Sequence, residues 1–574
     1  MYIACSILFI VAQVYLDLKM PDYMSQITML VQTSSESING VLSTGGKMLL
    51  CALGSVICSV IVGFLAARVA ASFSMTLRDK LFHKTLSFSI EEMKLFSTPS
   101  LITRTTNDIT QVRMLIIVSL QVLIKAPIMA VWAILKILGK SWPWTIATSV
   151  AVVFLLTMLS IILIFAVPKF KIVQKLTDQI NLVARENLTG LRVIRAFNAE
   201  KYQEEKFDKA NNDLTKTQLF TSRIMGLMQP SMSFIMSALP LSIYIIGANL
   251  INQALGQQQL VLFSEMVVFT SYAVQIVMSF MMLSMIFIIL PRASVSAKRI
   301  SDVLDTELSI VDKSPAAPAK TGLVGEIEVN NISFKYPDAE EYILHDVSFK
   351  AKRGDIVAFI GSTGSGKSTI INLIPRLYDV TDGEILIDGI NVKDYSQYDL
   401  HNKIGFVPQK ALLFSGTIAS NVAFGDSGKE ETIDDVKQAI KIAQGTDFVE
   451  NLDNQYEAHV ARSGSNLSGG QKQRLAIARA VCKDPEILIF DDSFSALDFK
   501  TDKALREALK KETSGITSLI VAQRIGTIRD ADQIIVLDSG NVVGKGTHDE
   551  LMKNCEVYQE IAYSQLSKEE LANA

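Results

Sequence analysis

Long apolar runs fill the first half of the chain and stop after Arg292, beyond which short apolar runs alternate with polar, helically spaced segments. Six stretches of the first half have the roughly 20 mainly apolar residues that about 30 Å of hydrocarbon requires. They run from Tyr2 to Leu18, Met48 to Phe73, Met114 to Leu138, Trp144 to Val167, Ile224 to Ile251 and Val261 to Leu290, and each is read as a membrane helix. The opening run MYIACSILFIVAQVYL lacks a basic flank and further spans follow it, so it reads as a short first span and not as a signal peptide.

Two connections between spans are long and basic. One carries Arg68, Arg78, Lys80, Lys84, Lys94, Arg104 and Arg113; the other carries Lys169, Lys171, Lys175, Arg185, Arg192, Arg195, Lys201, Lys206, Lys209, Lys216 and Arg223. Positive loops stay on the cytoplasmic side, so both face the cytoplasm, and the uncharged NQALGQQQ and the aromatic SWPW face outside. Stretches such as LRDKLFHKTLSF and LTDQINLVARENL keep helical spacing, which predicts helices running far past the membrane. Within the spans Lys125, Lys136 and Glu265 are costly in lipid and should face the bundle interior or reach for an edge; Lys125, the deepest, is the pathway candidate. Methionines crowd the last two spans, a lining that suits varied apolar molecules and ordinary packing alike.

The 574 residues exceed what one core can bury, and the 49% hydrophobic content averages two unlike halves. A net charge of −3 without a basic face gives no footprint for nucleic acid. Cys5, Cys51, Cys58, Cys482 and Cys555 form no CxxC pair and read as packing residues.

In the second half DKSPAAPAKTGLVG reads as a linker. The runs GEIEVNNISF, DIVAFIG, EILIFDD and TSLIVAQ, alternating with helical patterns, predict an α/β domain on a mainly parallel sheet. IVAFIGSTGSGKSTIINLI contains GxxxxGK[ST] after a strand and before a helix, the context that makes it a phosphate loop. Its residues Gly361, Ser362, Thr363, Gly364, Ser365, Gly366, Lys367, Ser368 and Thr369 cradle phosphates with backbone N–H groups, Lys367 meets the terminal phosphates, and Ser368 can ligate Mg2+. EILIFDD ends a strand in Asp491, placed for Mg2+, with Asp492 next. Leu467, Ser468, Gly469, Gly470 and Gln471 of LSGGQKQR supply a serine and glycine amides at a helix start, suited to phosphate or to a plain helix cap. The division predicted is a six-helix membrane domain with cytoplasmic extensions over 1–305, a linker over 306–324 and an α/β P-loop nucleotide-binding domain over 325–574.

This ordered set resembles the ATP-binding cassette family, and six spans ahead of one cassette resemble its exporter branch, over nearly the whole chain. The resemblance implies ATP and Mg2+ as cofactors, a multi-pass place in the cell membrane with the cassette cytoplasmic, and a second half-transporter as partner. It implies that Tyr336 in FKYPD stacks on adenine, that Gln409 in FVPQK reaches the magnesium and links nucleotide to the membrane helices, and that Ser495 to Asp498 cross to the partner. Tips of the basic connections, Phe88 to Phe96 and Gly190 to Phe197, would dock on cassettes, one of them across the dimer.

Two positions depart from the pattern. The family's catalytic glutamate is Asp492 here, one methylene shorter, and its histidine is Gln523, which cannot carry a proton. The LSGGQ signature is intact, which is the pattern of the degenerate-site subunit of a heterodimeric bacterial exporter: it holds ATP and completes the partner's catalytic site with Ser468, Gly469 and Gly470. A homodimer in which Asp492 suffices, and an ATP-gated channel or regulatory membrane protein, are the alternatives. The short start implies that the amphipathic helix common before the first span is trimmed or absent, and a leading protease domain is not expected. The apolar spans favour amphipathic drugs, dyes or lipids as cargo.

Overall fold

The computed structural model describes residues 1–32, 38–313, 323–428 and 430–565. Residues 314–322, most of the expected linker, lie outside the described residues. Contacts divide the chain into one unit of Met1–Leu86 with Thr98–Thr306 and a second of Ser87–Ser97 with Glu307–Ala574.

The first unit is helical: α1 (Tyr2–Gln32) and α2 (Ile38–Leu86) precede the excursion Ser87–Ser97, which belongs to the second unit and carries α3 (Ile90–Leu95). Then follow α4 (Thr98–Thr103), α5 (Ile109–Val118), α6 (Lys125–Ile137), α7 (Trp142–Thr189), α8 (Leu191–Ala196), α9 (Glu200–Gly226), α10 (Met228–Gln253) and α11 (Gln257–Leu304). Six helical stretches are long and apolar enough to cross a membrane. The 49 residues of α2 reach about 74 Å, more than twice the hydrocarbon thickness, so its charged end lies well beyond the apolar part, as the sequence predicts. The third span starts at Thr98, earlier than hydropathy indicates, and passes through π-helical turns at Arg104–Asp108 and Ser119–Leu123.

The first span is also longer than expected. Asp17, Lys19, Pro21 and Asp22 break the apolar run after Leu16 to Leu18, yet α1 continues to Gln32 because its acids are compensated. Lys125 lies 3.3 Å from Asp17, which also accepts from Ser55, and Lys136 lies 2.8 Å from Asp22, which accepts from the Tyr272 hydroxyl at 2.6 Å. Lys125 is thus a paired charge binding α1 to the third span, and Lys136 is paired instead of reaching for the edge. Among the methionines, Met232 and Met266 are core residues while Met278, Met282 and Met285 are exposed. None of the five cysteines forms a disulfide.

The second unit carries β1 (Ile327–Phe334), β2 (Leu344–Ala351), β3 (Ile356–Gly361), α12 (Lys367–Leu373), β4 (Asp382–Ile387), β5 (Ile390–Asn391), β6 (Ile404–Val407), β7 (Gly416–Thr417), β8 (His459–Val460), β9 (Ile487–Asp491), β10 (Thr517–Val521), β11 (Gln533–Asp538) and β12 (Asn541–Gly546). One sheet has the order β12-β11-β3-β10-β9-β6, parallel except for β12. Its strands are apolar on both faces, as a covered parallel sheet demands. GEIEVNNISF does not join it: β1 pairs antiparallel with β2 and β4 in a second, four-stranded sheet. No helix separates β1 from β2, so the crossover a parallel partner would need is missing.

Candidate nucleotide-binding site

The register of the parallel sheet brings four strand ends together. Gly361 lies opposite Leu537, Val521 opposite Asp491, and Val407 opposite Phe490, so the segments leaving β3, β9, β10 and β6 share one carboxyl edge, where open α/β sheets bind ligands.

At the end of β3 the chain turns through Gly361–Gly366 into α12. Gly361 has φ +155° and a Cβ there would lie 2.0 Å from the Leu537 carbonyl oxygen; Gly366 caps α12 with φ +97°. Only glycine allows this path, and it leaves backbone N–H groups at a helix start with no Cβ in the way. Lys367 Nζ donates to the Gly361 and Ser362 carbonyls at 2.8 and 2.6 Å, and burial pushes its ammonium below the usual lysine range against the pull of Asp492 and Asp491. Ser368 Oγ donates to Asp491 Oδ1 at 2.9 Å, joining the two groups that the sequence assigns to magnesium. Burial pushes the Asp491 carboxyl up, against the Ser368 bond and helped by the neighbouring Asp492 charge. No cluster of three or more His, Cys, Asp or Glu exists among the described residues.

Asp492 sits just past β9 at φ +47°. Its Oδ2 accepts from Gln523 Nε2 at 2.8 Å and from Gln409 Nε2 at 3.2 Å. The sequence names all three residues, but not their convergence: they leave β9, β10 and β6 and meet only through strand order.

Tyr336 follows β1, with its hydroxyl 3.2 Å from Thr369 Oγ1 on α12 and its ring edge-on to Phe334 and Tyr378. Lys94 of α3 stands over that ring, a neighbour with no signal in the sequence.

Ser468 caps the helix Gly469–Cys482: its Oγ accepts from Gln471 N at 3.3 Å and its N donates to Gln471 Oε1 at 2.9 Å. The cap leaves first-turn amides of Gly469 and Gly470 without helical partners, and Gly469 borders open space. Among the described residues no hydrogen bond joins Ser468 or Gln471 to the phosphate loop; Leu467 packs in one core cluster and Ile370 and Ile371 of α12 in another.

Comparison with known proteins agrees with this geometry. Residues 3–280 match the family model of the ABC transporter transmembrane region, and residues 344–495 match that of the ABC transporter. An uncharacterized ABC transporter ATP-binding protein of Mycobacterium tuberculosis is 38% identical over 92% of this chain and 88% of its own. An ATP-dependent lipid A-core flippase of Pseudomonas aeruginosa is 32% identical over 86% of this chain and 80% of its own. A solved structure of a bacterial Atm1-family ABC exporter with ATP bound superposes with a TM-score of 0.80 at 25% identity, covering 99% of this chain and 98% of that one. The chain belongs to the ATP-binding cassette transporters, as a multi-pass membrane protein of exporter fold with a cytoplasmic nucleotide-binding domain.

Proposed function

We propose that this chain is the degenerate-site half of a heterodimeric ATP-driven exporter of amphipathic molecules, its membrane domain spanning 1–305 and its cassette 325–574. The observation that carries this reading is Asp492 Oδ2 accepting from both Gln523 and Gln409. A carboxylate already short by one methylene, with an oxygen occupied by two amides, is poorly placed to polarise an attacking water, and a misplacement of about 1 Å costs on the order of a hundredfold in rate.

ATP binding itself rests on intact parts. The phosphate loop and Lys367 hold the triphosphate, Tyr336 stacks on the base, and Ser368, Asp491 and Gln409 hold Mg2+. Bound magnesium neutralises charge on the terminal phosphates. Lys367 already lies over the loop and exchanges its carbonyl partners for phosphate oxygens. The helix starting at Gly469 has first-turn amides without helical partners and open space at Gly469, which supports its completing the phosphate site of a partner cassette. Exposed apolar side chains in and just after α8 support the same pairing: Leu191, Val193 and Phe197 are 50, 60 and 78% exposed, a surface suited to docking on the partner's cassette. Apolar, methionine-rich spans support an amphipathic cargo, and a relative named as a lipid A-core flippase handles one.

ATPase activity in nanodiscs, for this chain alone and for this chain with a partner half-transporter, tests the reading. Activity that appears only with the partner is expected. Brisk hydrolysis by this chain alone, lost in Asp492→Asn, makes it a homodimer and overturns the asymmetric assignment.

A further inference from the structure

Segment Ser87–Ser97 joins α2 to α4 and packs on the second unit. Its anchor is Glu92, 2% exposed, whose carboxylate accepts from Ser89 N at 2.6 Å and from Ser309 N at 2.8 Å. Burial opposes that charge, but the bonds from Ser89 and Ser309 hold the carboxyl below the usual glutamate range. Half a turn further on, Lys94 places its ammonium 4.4 Å from the ring centroid of Tyr336 and 5.2 Å from that of Tyr378. The neighbouring Tyr378 hydroxyl raises this lysine above its usual range, against the effect of burial.

Tyr336 is therefore held at its hydroxyl, beside two neighbouring rings and by a cation over one face. Its hydroxyl is tied to α12, its edges lie against Phe334 at 5.0 Å and Tyr378 at 5.3 Å, and a cation stands over its face. A ring so held has lost its rotamer freedom before any ligand arrives, and preorganisation of that kind strengthens stacking.

We propose that Lys94 is a positioning residue for base recognition: it holds the Tyr336 ring for the purine and thereby makes docking of α3 depend on whether the base is bound. The inference rests on the reading of Tyr336 as the adenine-stacking residue. Coupling of this kind is reciprocal: the factor by which Lys94 strengthens base binding is the factor by which the base strengthens α3 docking. Because α3 lies between the second and third spans, the base is read by the chain segment that leads directly into the membrane helices.

The test is equilibrium binding of ATP and of tripolyphosphate, each with magnesium, to the full chain in nanodiscs. The variants are Lys94→Met, Lys94→Arg, Tyr336→Ala and the pair Lys94→Met with Tyr336→Ala. Lys94→Met is expected to weaken ATP about three- to tenfold while leaving tripolyphosphate unchanged, and Lys94→Arg to restore ATP affinity. Added to Tyr336→Ala, Lys94→Met is expected to change nothing further. Equal weakening of both ligands, or unchanged ATP affinity, overturns the role of Lys94. If Tyr336→Ala leaves the ratio of ATP to tripolyphosphate affinity unaltered, the stacking assignment itself falls. Hydrogen exchange on the unaltered chain decides independently of any variant's folding: ATP protects the amides of 90–96 and tripolyphosphate does not, whereas equal protection by both refutes the coupling.

Discussion

Gln523 Nε2 donates to Asp492 Oδ2 at 2.8 Å, so the residue standing where the family has its histidine holds the residue standing where it has its glutamate. The two departures are one structural unit, and reverting one alone leaves the other in place. Asp492→Glu alone is expected to raise hydrolysis at this site less than about tenfold, because Gln523 and Gln409 still engage the carboxylate. Asp492→Glu with Gln523→His is expected to raise it on the order of a hundredfold. Under the proposed pairing, single-turnover hydrolysis in a complex whose partner site is inactivated measures both.

Ser468 has two duties that one variant can separate. As the cap of the helix Gly469–Cys482 it stabilises the fold by about 1 kcal/mol, and Ser468→Ala loses that together with any phosphate contact. Ser468→Asp keeps a good cap and a favourable charge at a helix N-terminus, yet sets that charge against phosphate. Under the proposed pairing, the expected outcome is an unchanged melting temperature with ATPase activity of the complex reduced at least about tenfold. Parallel loss of both would mean that Ser468 acts only as a cap.

The sequence made the chemistry legible wherever neighbours along the chain perform it. The phosphate loop and the LSGGQ cap are each a few consecutive residues, so their geometry follows from local turn rules. Spans were legible from composition, but α1 was cut short because Asp17 and Asp22 find Lys125 and Lys136 only after the helices pack. β1 was assigned to the wrong sheet for a related reason: alternation reveals a strand but not its partner. The Asp492 clamp and the placing of Lys94 over Tyr336 are likewise meetings of distant segments.

The two ion pairs within the spans should respond differently to truncation. Asp17 and Lys125 have side chains only 13 and 17% exposed, so Asp17→Asn strands a charge in an apolar setting and is expected to destabilise by about 3–5 kcal/mol. Asp17→Asn with Lys125→Met removes both charges and should recover most of that loss. Asp22 and Lys136 are 27 and 34% exposed, and Asp22→Asn is expected to cost nearer 1 kcal/mol. Thermal melts of the three variants in nanodiscs distinguish the pairs; a double variant no better than Asp17→Asn alone would rule out the stranded-charge explanation.

Acid should weaken the cassette before it reaches the carboxylates. Burial pushes the His401 ring below the usual histidine range despite the bond its Nε2 donates to the Pro375 carbonyl at 2.9 Å. Burial does the same to His548, helped by Arg529, and His548 Nε2 has no hydrogen-bond partner to receive a charge through. With folded-state values depressed, the unfolded chain takes up protons first as pH falls past about 6.5, so stability present above that pH is lost below it. Each ring contributes at most about 1.4 kcal/mol per pH unit until its folded-state value is reached. Asp491 acts in the opposite sense, because its raised value favours the protonated folded form, whereas Glu92, with a lowered value, matters only below the usual glutamate range. Melting temperature measured between pH 7.5 and 5.5 should therefore fall, and His401→Gln with His548→Gln should flatten the fall. An unchanged slope in that double variant would transfer the acid sensitivity to other groups.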